Sequence, residues 1–252
     1  MRASTRRCSR SIRCWSGPTG TNARAPRPHP SRRPERAMIW PRSAADAEAI
    51  RDAKRVLRRA VLQRRRVRPA EQRDADDRAR FEQLRRFVGE STVETVACYF
   101  STPPEPGSLQ SIAWLASRDV RVLLPVITEP PARQDQPDQD QLFGEPAWAA
   151  YAGPDALHTG RLAIVEPSTD KLPADALADA KLIIVPGLAG NVAGQRLGRG
   201  GGWYDRALRH AARSAVVVML LNDDEVMEAI PTSGWDRRVD VLITPTRVIN
   251  CS

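Results

Sequence analysis

Five short apolar runs constrain this chain most: Thr92–Phe100, Val120–Val126, Lys181–Val185, Ala215–Leu220 and Val239–Thr244. Each has the length of a buried strand, and helical segments lie between several of them, near Leu109–Ser117 and Trp203–Arg213. Strands alternating with helices predict an α/β fold, a single domain with a mostly parallel sheet flanked by helices. Two helices precede the first strand. Ala49, Ala53, Val56, Leu57, Ala60 and Val61 recur at three- and four-residue spacing over Ser43–Arg68, and Pro69 ends that period. A second helix over about residues 70–88 carries Phe81, Leu84 and Val88. Residues 129–141 (EPPARQDQPDQDQ) read as a solvated loop. No apolar run approaches the roughly 20 residues a membrane span needs, so no membrane partner is expected.

The net charge of +9 would ordinarily point to nucleic acid or a membrane surface. Its distribution says otherwise. Residues 1–37 hold ten arginines, one acid (Glu35) and no lysine, which accounts for the whole excess. The remainder is formally neutral, so no nucleic-acid binding is expected of the folded domain. The Arg/Pro-rich segment 1–42 lacks an apolar period and is expected to be a disordered tail ahead of a domain at 43–252. An acid-poor, Arg- and Ser-rich start is similar to an organellar transit peptide. A translation start assigned upstream of Met38 is the preferred reading, because arginine outnumbers lysine 36 to 3 throughout. Cys8, Cys14, Cys98 and Cys251 form no C-x-x-C pair, which argues against a zinc site or disulfide framework and for a reducing cytoplasm. His29, His158 and His210 do not cluster.

Chemistry concentrates in Lys181–Leu208, KLIIVPGLAGNVAGQRLGRGGGWYDRAL. A buried-looking strand breaks at Pro186-Gly187, a loop leads into Arg196-Leu197-Gly198-Arg199-Gly200-Gly201-Gly202, and a helix begins near Trp203. Strand, glycine loop and helix start together can cradle an anion, because backbone N–H groups approach phosphate oxygens where no Cβ intervenes. Arg196 and Arg199 add bidentate donors, and Asp205 could hold Mg²⁺. The loop lacks the Walker A spacing and the strict G-x-G-x-x-G of a dinucleotide fold. On composition alone, a flexible glycine loop without a ligand stays open as the alternative.

The ordered string Pro186-Gly187-Leu188, Gly194-x-Arg196-Leu197-Gly198-Arg199-Gly200-x-Gly202-Trp203-Tyr204-Asp205 resembles the signature of the 5-formyltetrahydrofolate cyclo-ligase family. The likeness extends over about residues 45–250. Lys54-Arg55-Val56-Leu57-Arg58 is similar to the family's N-terminal K-x-x-L-R helix, and Tyr99-Phe100-Ser101 with Glu105 to its folate segment. Trp148 with Ile164-Val165-Glu166-Pro167, and Asp236 with Val239–Pro245, resemble its central and closing stretches.

That resemblance implies an ATP- and Mg²⁺-dependent enzyme closing 5-formyltetrahydrofolate to 5,10-methenyltetrahydrofolate, with a monomer favoured. It implies ATP binding by Lys54, Arg55, Val56, Leu57 and Arg58, and by the loop Arg196, Leu197, Gly198, Arg199, Gly200, Gly201, Gly202, Trp203 and Tyr204. Arg199 and Tyr204 would be catalytic. Phe100, Glu105, Arg199, Gly200, Gly201, Gly202 and Trp203 would contact the folate, and Asp205 and Asp236 the metal, with Asp240 the neighbouring candidate for the latter. Trp203 stands where the family usually has Tyr, keeping a flat face for stacking on the pterin. Gly201 stands where some members have Lys, and Gly234-Trp235-Asp236 replaces Pro-His-Asp. These departures leave open a binder of nucleotide or folate that has the fold without ring closure. An RNA-associated protein acting through its basic tail is a further alternative.

Overall fold

The computed structural model describes residues 43–130, 143–231 and 237–252. The basic segment 1–42, most of the 129–141 loop and Asp236 lie outside the described residues. Four α-helices are present among them: α1 (Ala44–Val67), α2 (Ala70–Val88), α3 (Leu109–Ala116) and α4 (Trp203–Ala207). The strands are β1 (Thr95–Cys98), β2 (Arg121–Val126), β3 (Ala147–Ala150), β4 (Leu157–Thr159), β5 (Val165–Pro167) and β6 (Lys171–Leu172). They continue with β7 (Leu182–Val185), β8 (Ala189–Gly190), β9 (Arg196–Leu197), β10 (Val216–Leu220), β11 (Val241–Ile243) and β12 (Val248–Asn250).

Eight strands form one sheet in the order β12-β11-β10-β7-β1-β2-β3-β6. The five runs picked out in the sequence are its centre, β11, β10, β7, β1 and β2, all mutually parallel. The antiparallel strands β12, β3 and β6 close the two edges. The fold is thus α/β with a mostly parallel sheet flanked by helices.

Alternation sends successive side chains to opposite faces, and both faces are covered, so the central strands are apolar throughout. Ala97, Leu123, Ile183, Val185, Val217 and Met219 pack with Trp148, Leu177 and the Trp203–Leu208 segment. Val96, Cys98, Val122, Leu124, Leu182, Ile184, Val218 and Leu220 pack against Leu84 and Val88 of α2 and Ile112 and Leu115 of α3. Each large aliphatic side chain so buried contributes about 1.5–3 kcal/mol.

Helix α1 starts where Ser43 Oγ accepts the Asp46 N–H at 3.1 Å. It stops at Arg68, which turns extended ahead of Pro69. Its buried residue Val61 belongs to a separate cluster with Leu188, Ala189, Leu197 and Ile230. Helix α1 therefore docks on the β8–β9 hairpin and not on either face of the sheet. No helix of the described residues is long and apolar enough to cross a membrane.

The chain leaves β1 for β2 on one side, while β7 lies on the other. The loops that follow β1 and β7 therefore diverge around a crevice at the carboxyl ends of these strands, the usual ligand position in open α/β sheets. The loop after β1 carries Phe100 and Glu105, and the segment after β7 carries the glycine loop.

Candidate functional site

Beyond β7, the Leu188 N–H donates to Leu197 O at 2.7 Å, and β8 pairs with β9. The segment is thus a hairpin, and the glycine loop is its exit. Gly200 (φ +105) and Gly202 (φ +65, the cap of α4) adopt left-handed backbone that a Cβ would strain. At Gly201, a Cβ would fall 2.2 Å from the Phe143 ring. An aromatic side chain from the 143–144 strand approach thus occupies the space above this glycine. Arg206 anchors that approach, donating to the carbonyls of Phe143 and Gly144 at 3.2 Å each.

Helix α1 grips the hairpin at both ends. Arg58 Nε donates to Gly198 O at 2.9 Å, and Arg65 Nη2 donates to Gly187 O at 2.7 Å. Seven residues separate the two arginines, which puts them two turns apart on the face that also buries Val61. Arg55 and Val56 point elsewhere. Arg55 pairs with Asp52 at the surface and Val56 is 66% exposed. The helical period turns them from the loop, so within Lys54–Arg58 the structure brings Leu57 and Arg58 to it, with half-buried Lys54 one turn before Arg58 on the same side of the helix. Leu197 is also a core residue, 1% exposed, and meets the site through its backbone.

Charged groups converge at the crevice. Buried Arg196 is ion-paired with Asp205. Burial lowers the Arg58 pKa, and the nearby Asp205 carboxylate opposes that shift. Arg199 Nη1 reaches Glu105 Oε1 at 3.1 Å, joining the glycine loop to the loop after β1. Glu105 Oε2 accepts the Thr102 N–H at 3.1 Å. Three guanidinium groups against two carboxylates leave the site electropositive and suited to a phosphate chain.

Trp203 departs from its expected place. It is 6% exposed and packed edge-on against Trp148 (5.2 Å between ring centroids) and Tyr204 (4.8 Å). As the first residue of a short helix lying on the sheet, its indole is drawn into the core and presents no open face for stacking. Tyr204 packs against the cores on both faces of the sheet, with its hydroxyl among Cys98, Tyr99, Glu105 and Arg196. Its hydroxyl is buried without a hydrogen-bond partner among the described residues. Burial raises its pKa well above the usual phenol value, with Cys98, Glu105 and Tyr99 adding to the rise and Arg196 opposing it. The phenol is therefore protonated at neutral pH and available as a donor. Phe100 is half-buried against the β1 face of the core.

For a divalent cation, the described residues offer the Asp205 carboxylate and no cluster of three His, Cys, Asp or Glu side chains. One carboxylate with phosphate oxygens and waters fits Mg²⁺ carried in on a nucleotide, and does not make an all-protein cage. Asp236 lies outside the described residues. Asp240 is a structural residue: its Oδ2 accepts the Val217 N–H at 2.8 Å, at the amino end of β11 and across the sheet from the crevice.

Sequence reasoning missed a buried polar clasp beside this site. Glu225, 1% exposed, takes Arg65 Nε and Nη2 at 2.7 Å each, and its oxygens also accept the Asn222 N–H and Nδ2. Arg80, 1% exposed, donates to Leu221 O and Asn222 Oδ1. The run Arg64–Arg66 reads as a solvated basic face in sequence, and only the position of Arg65 on the Val61 stripe could have singled it out.

The family model of the 5-formyltetrahydrofolate cyclo-ligases matches residues 50–245. The 5-formyltetrahydrofolate cyclo-ligase of Mycolicibacterium smegmatis is 36% identical over 199 residues, covering 78% of this chain and 96% of that protein. The solution structure of Aquifex aeolicus 5,10-methenyltetrahydrofolate synthetase superposes with a TM-score of 0.61 at 25% identity, over 78% of this chain and 92% of that one. The 5,10-methenyltetrahydrofolate synthetase of Mycoplasma pneumoniae shares the fold, with a TM-score of 0.58 at 18% identity over 76% and 98% of the two chains. Matched over most of its length by sequence and by fold, with the signature loop at the sheet's crevice, the chain belongs to the 5-formyltetrahydrofolate cyclo-ligase family.

Proposed function

We propose that residues 43–252 form the catalytic unit of an ATP-dependent 5-formyltetrahydrofolate cyclo-ligase, acting as a cytoplasmic monomer. The observation that carries this reading is the Arg199–Glu105 contact, which ties the loop suited to phosphate to the loop suited to folate. An N5-formyl group is an amide, and its carbon is a poor electrophile toward N10. Transfer of the γ-phosphoryl group to the formyl oxygen expels ADP and leaves a phosphorylated iminium carbon. The N10 lone pair then attacks that carbon, the C–O bond breaks to release inorganic phosphate, and N10 loses its proton. Such transfers depend on positioning and on neutralising charge on the moving group.

Arg196, Arg199 and the N–H groups of Gly198–Gly202 would bind the phosphates, with Lys54 and Arg58 adding charge from α1. Mg²⁺, held by Asp205 together with phosphate oxygens, would neutralise charge on the leaving group. When ATP enters, Arg199 exchanges its contact with Glu105 for phosphate oxygens, freeing the carboxylate to orient the folate ring over Phe100. The Tyr204 hydroxyl, buried and protonated, supplies a hydrogen bond to the oxygen undergoing transfer.

The test is the absorbance of methenyltetrahydrofolate formed from 5-formyltetrahydrofolate and Mg-ATP. The wild type should show an ATP-dependent rise, and Arg199→Ala should slow it by about 100-fold or more, the usual cost of one electrostatic contact to the transition state. Well-folded wild-type protein that binds ATP and folate and gives no rise would overturn ligase activity in favour of a non-catalytic binder.

A further inference from the structure

The turn that carries Glu105 is held from outside the site by Asp77 on α2. Asp77 Oδ1 accepts the Gly107 N–H at 2.8 Å and Arg80 Nη1 at 2.5 Å. Arg80 is itself immobilised by Leu221 O at 2.9 Å and Asn222 Oδ1 at 2.8 Å, at the end of β10. The approach of helix to turn is close: a Cβ on Gly107 would fall 2.4 Å from Asp77 Oδ2. Glycine is thus required by the carboxylate seated against it.

The remainder of the turn is fixed from the β1 side. The Ser101 N–H donates to Ser108 Oγ and the Ser108 N–H to Ser101 Oγ, at 3.0 and 2.9 Å. Tyr99 Oη donates to Pro106 O at 2.5 Å. Between these anchors sits Glu105, 12% exposed at its side chain, with one oxygen toward Thr102 and the other toward Arg199. Asp77 is the anchor on the helix side of the turn, and among the described residues it makes no hydrogen bond to Glu105 or to the glycine loop.

Resting on the cyclo-ligase reading, we propose that Asp77 is a positioning residue for the folate step: through the Gly107 amide it sets where Glu105 stands relative to Arg199. Its effect should fall chiefly on folate, since the turn meets the glycine loop through the Glu105–Arg199 side-chain pair and, among the described residues, makes no hydrogen bond to the backbone of that loop. A carbonyl oxygen can replace the carboxylate oxygen as acceptor for the Gly107 amide, whereas the charge on Asp77 pairs with buried Arg80 and bears on stability, which thermal unfolding reads separately.

The experiment measures KM for 5-formyltetrahydrofolate and for Mg-ATP separately in Asp77→Ala, Asp77→Asn and Gly107→Ala, with thermal unfolding as a check on folding. Asp77→Ala and Gly107→Ala should raise the folate KM about tenfold while the ATP KM stays within twofold, and Asp77→Asn should stay within threefold of wild type for both. In a Glu105→Gln background, Asp77→Ala should add no further rise in folate KM. Unchanged folate KM in Asp77→Ala, an equal rise for both substrates, or a full effect persisting beside Glu105→Gln would each overturn the proposal. Hydrogen exchange separates this outcome from failure of the ligase reading. Should wild type show no turnover, the ligase reading falls. The anchor is then judged by the Gly107 amide, which must exchange at least tenfold faster in Asp77→Ala or the proposal falls too.

Discussion

Replacing Glu225 by glutamine tests how the clasp between α1 and the end of β10 is held. Each carboxylate oxygen receives two donors: Oε1 takes Arg65 Nε and Asn222 Nδ2, and Oε2 takes Arg65 Nη2 and the Asn222 N–H. Glutamine has one carbonyl oxygen, so in either orientation its NH₂ group confronts two of these donors. Two hydrogen bonds are lost, one of them to a charged group, and the Arg65 guanidinium, 3% exposed at its side chain, loses its counter-ion. Breaking a buried pair by removing one partner costs about 3–5 kcal/mol, because the surviving charge cannot be hydrated. For a domain of this size each kcal/mol shifts Tm by about 2–4 °C, so Glu225→Gln should melt roughly 12 °C lower. Urea unfolding gives the free energy directly, provided the m-value is unchanged. The double variant Arg65→Met/Glu225→Met, which leaves no unpaired charge, should be more stable than Glu225→Gln. A loss below about 1 kcal/mol in Glu225→Gln, or a double variant less stable than the single one, would refute the argument.

Two other expectations concern titratable groups. Tyr204→Phe removes a buried hydroxyl without a partner among the described residues, so it should raise unfolding stability by about 1 kcal/mol while lowering kcat, seen by comparing urea midpoints with turnover. Asp223 is depressed below the usual aspartate value: burial pushes its pKa up, but hydrogen bonds from Thr244 and Thr246 and the nearby Arg247 outweigh that. A depressed folded-state pKa gives stability that is present above the unfolded value and lost as pH falls through the folded one. The stability gap between wild type and Asp223→Asn should therefore be full at pH 7 and close below about pH 4; a gap unchanged at pH 3 would refute the assignment.

The parallel centre of the sheet was legible because its five strands are buried on both faces and so read as continuous apolar runs. Strands β3, β6 and β12 were not, since edge pairing of two to four residues leaves no period to read. Helices α1 and α2 were placed to within two residues by Ser43, Pro69 and the apolar spacing. At the site, the glycine loop, Arg196, Arg199 and Asp205 could be read from the order of residues. The pairings could not, because Arg196 with Asp205 and Arg199 with Glu105 depend on which loops the topology sets side by side. The burial of Trp203 could not be read for a related reason: sequence shows an aromatic at a helix start, and only the sheet beneath it decides that the ring turns inward.

The docking of α1 separates what holds the sheet from what holds the loop. The two faces of the sheet are closed by α2, α3 and the 174–179 and 203–210 segments, whereas α1 touches the hairpin through Val61, Arg58 and Arg65. The hairpin is thus steadied by α1, which is itself tied to the end of β10 by the buried Arg65–Glu225 pair. Amides of the 188–197 hairpin should therefore lose protection from solvent exchange when α1 detaches, a change hydrogen exchange would read. The sheet can stay intact while the glycine loop moves, so on the proposed reading the affinity of that loop should be adjustable from the exposed surface of α1 without altering a residue proposed to meet the ligand.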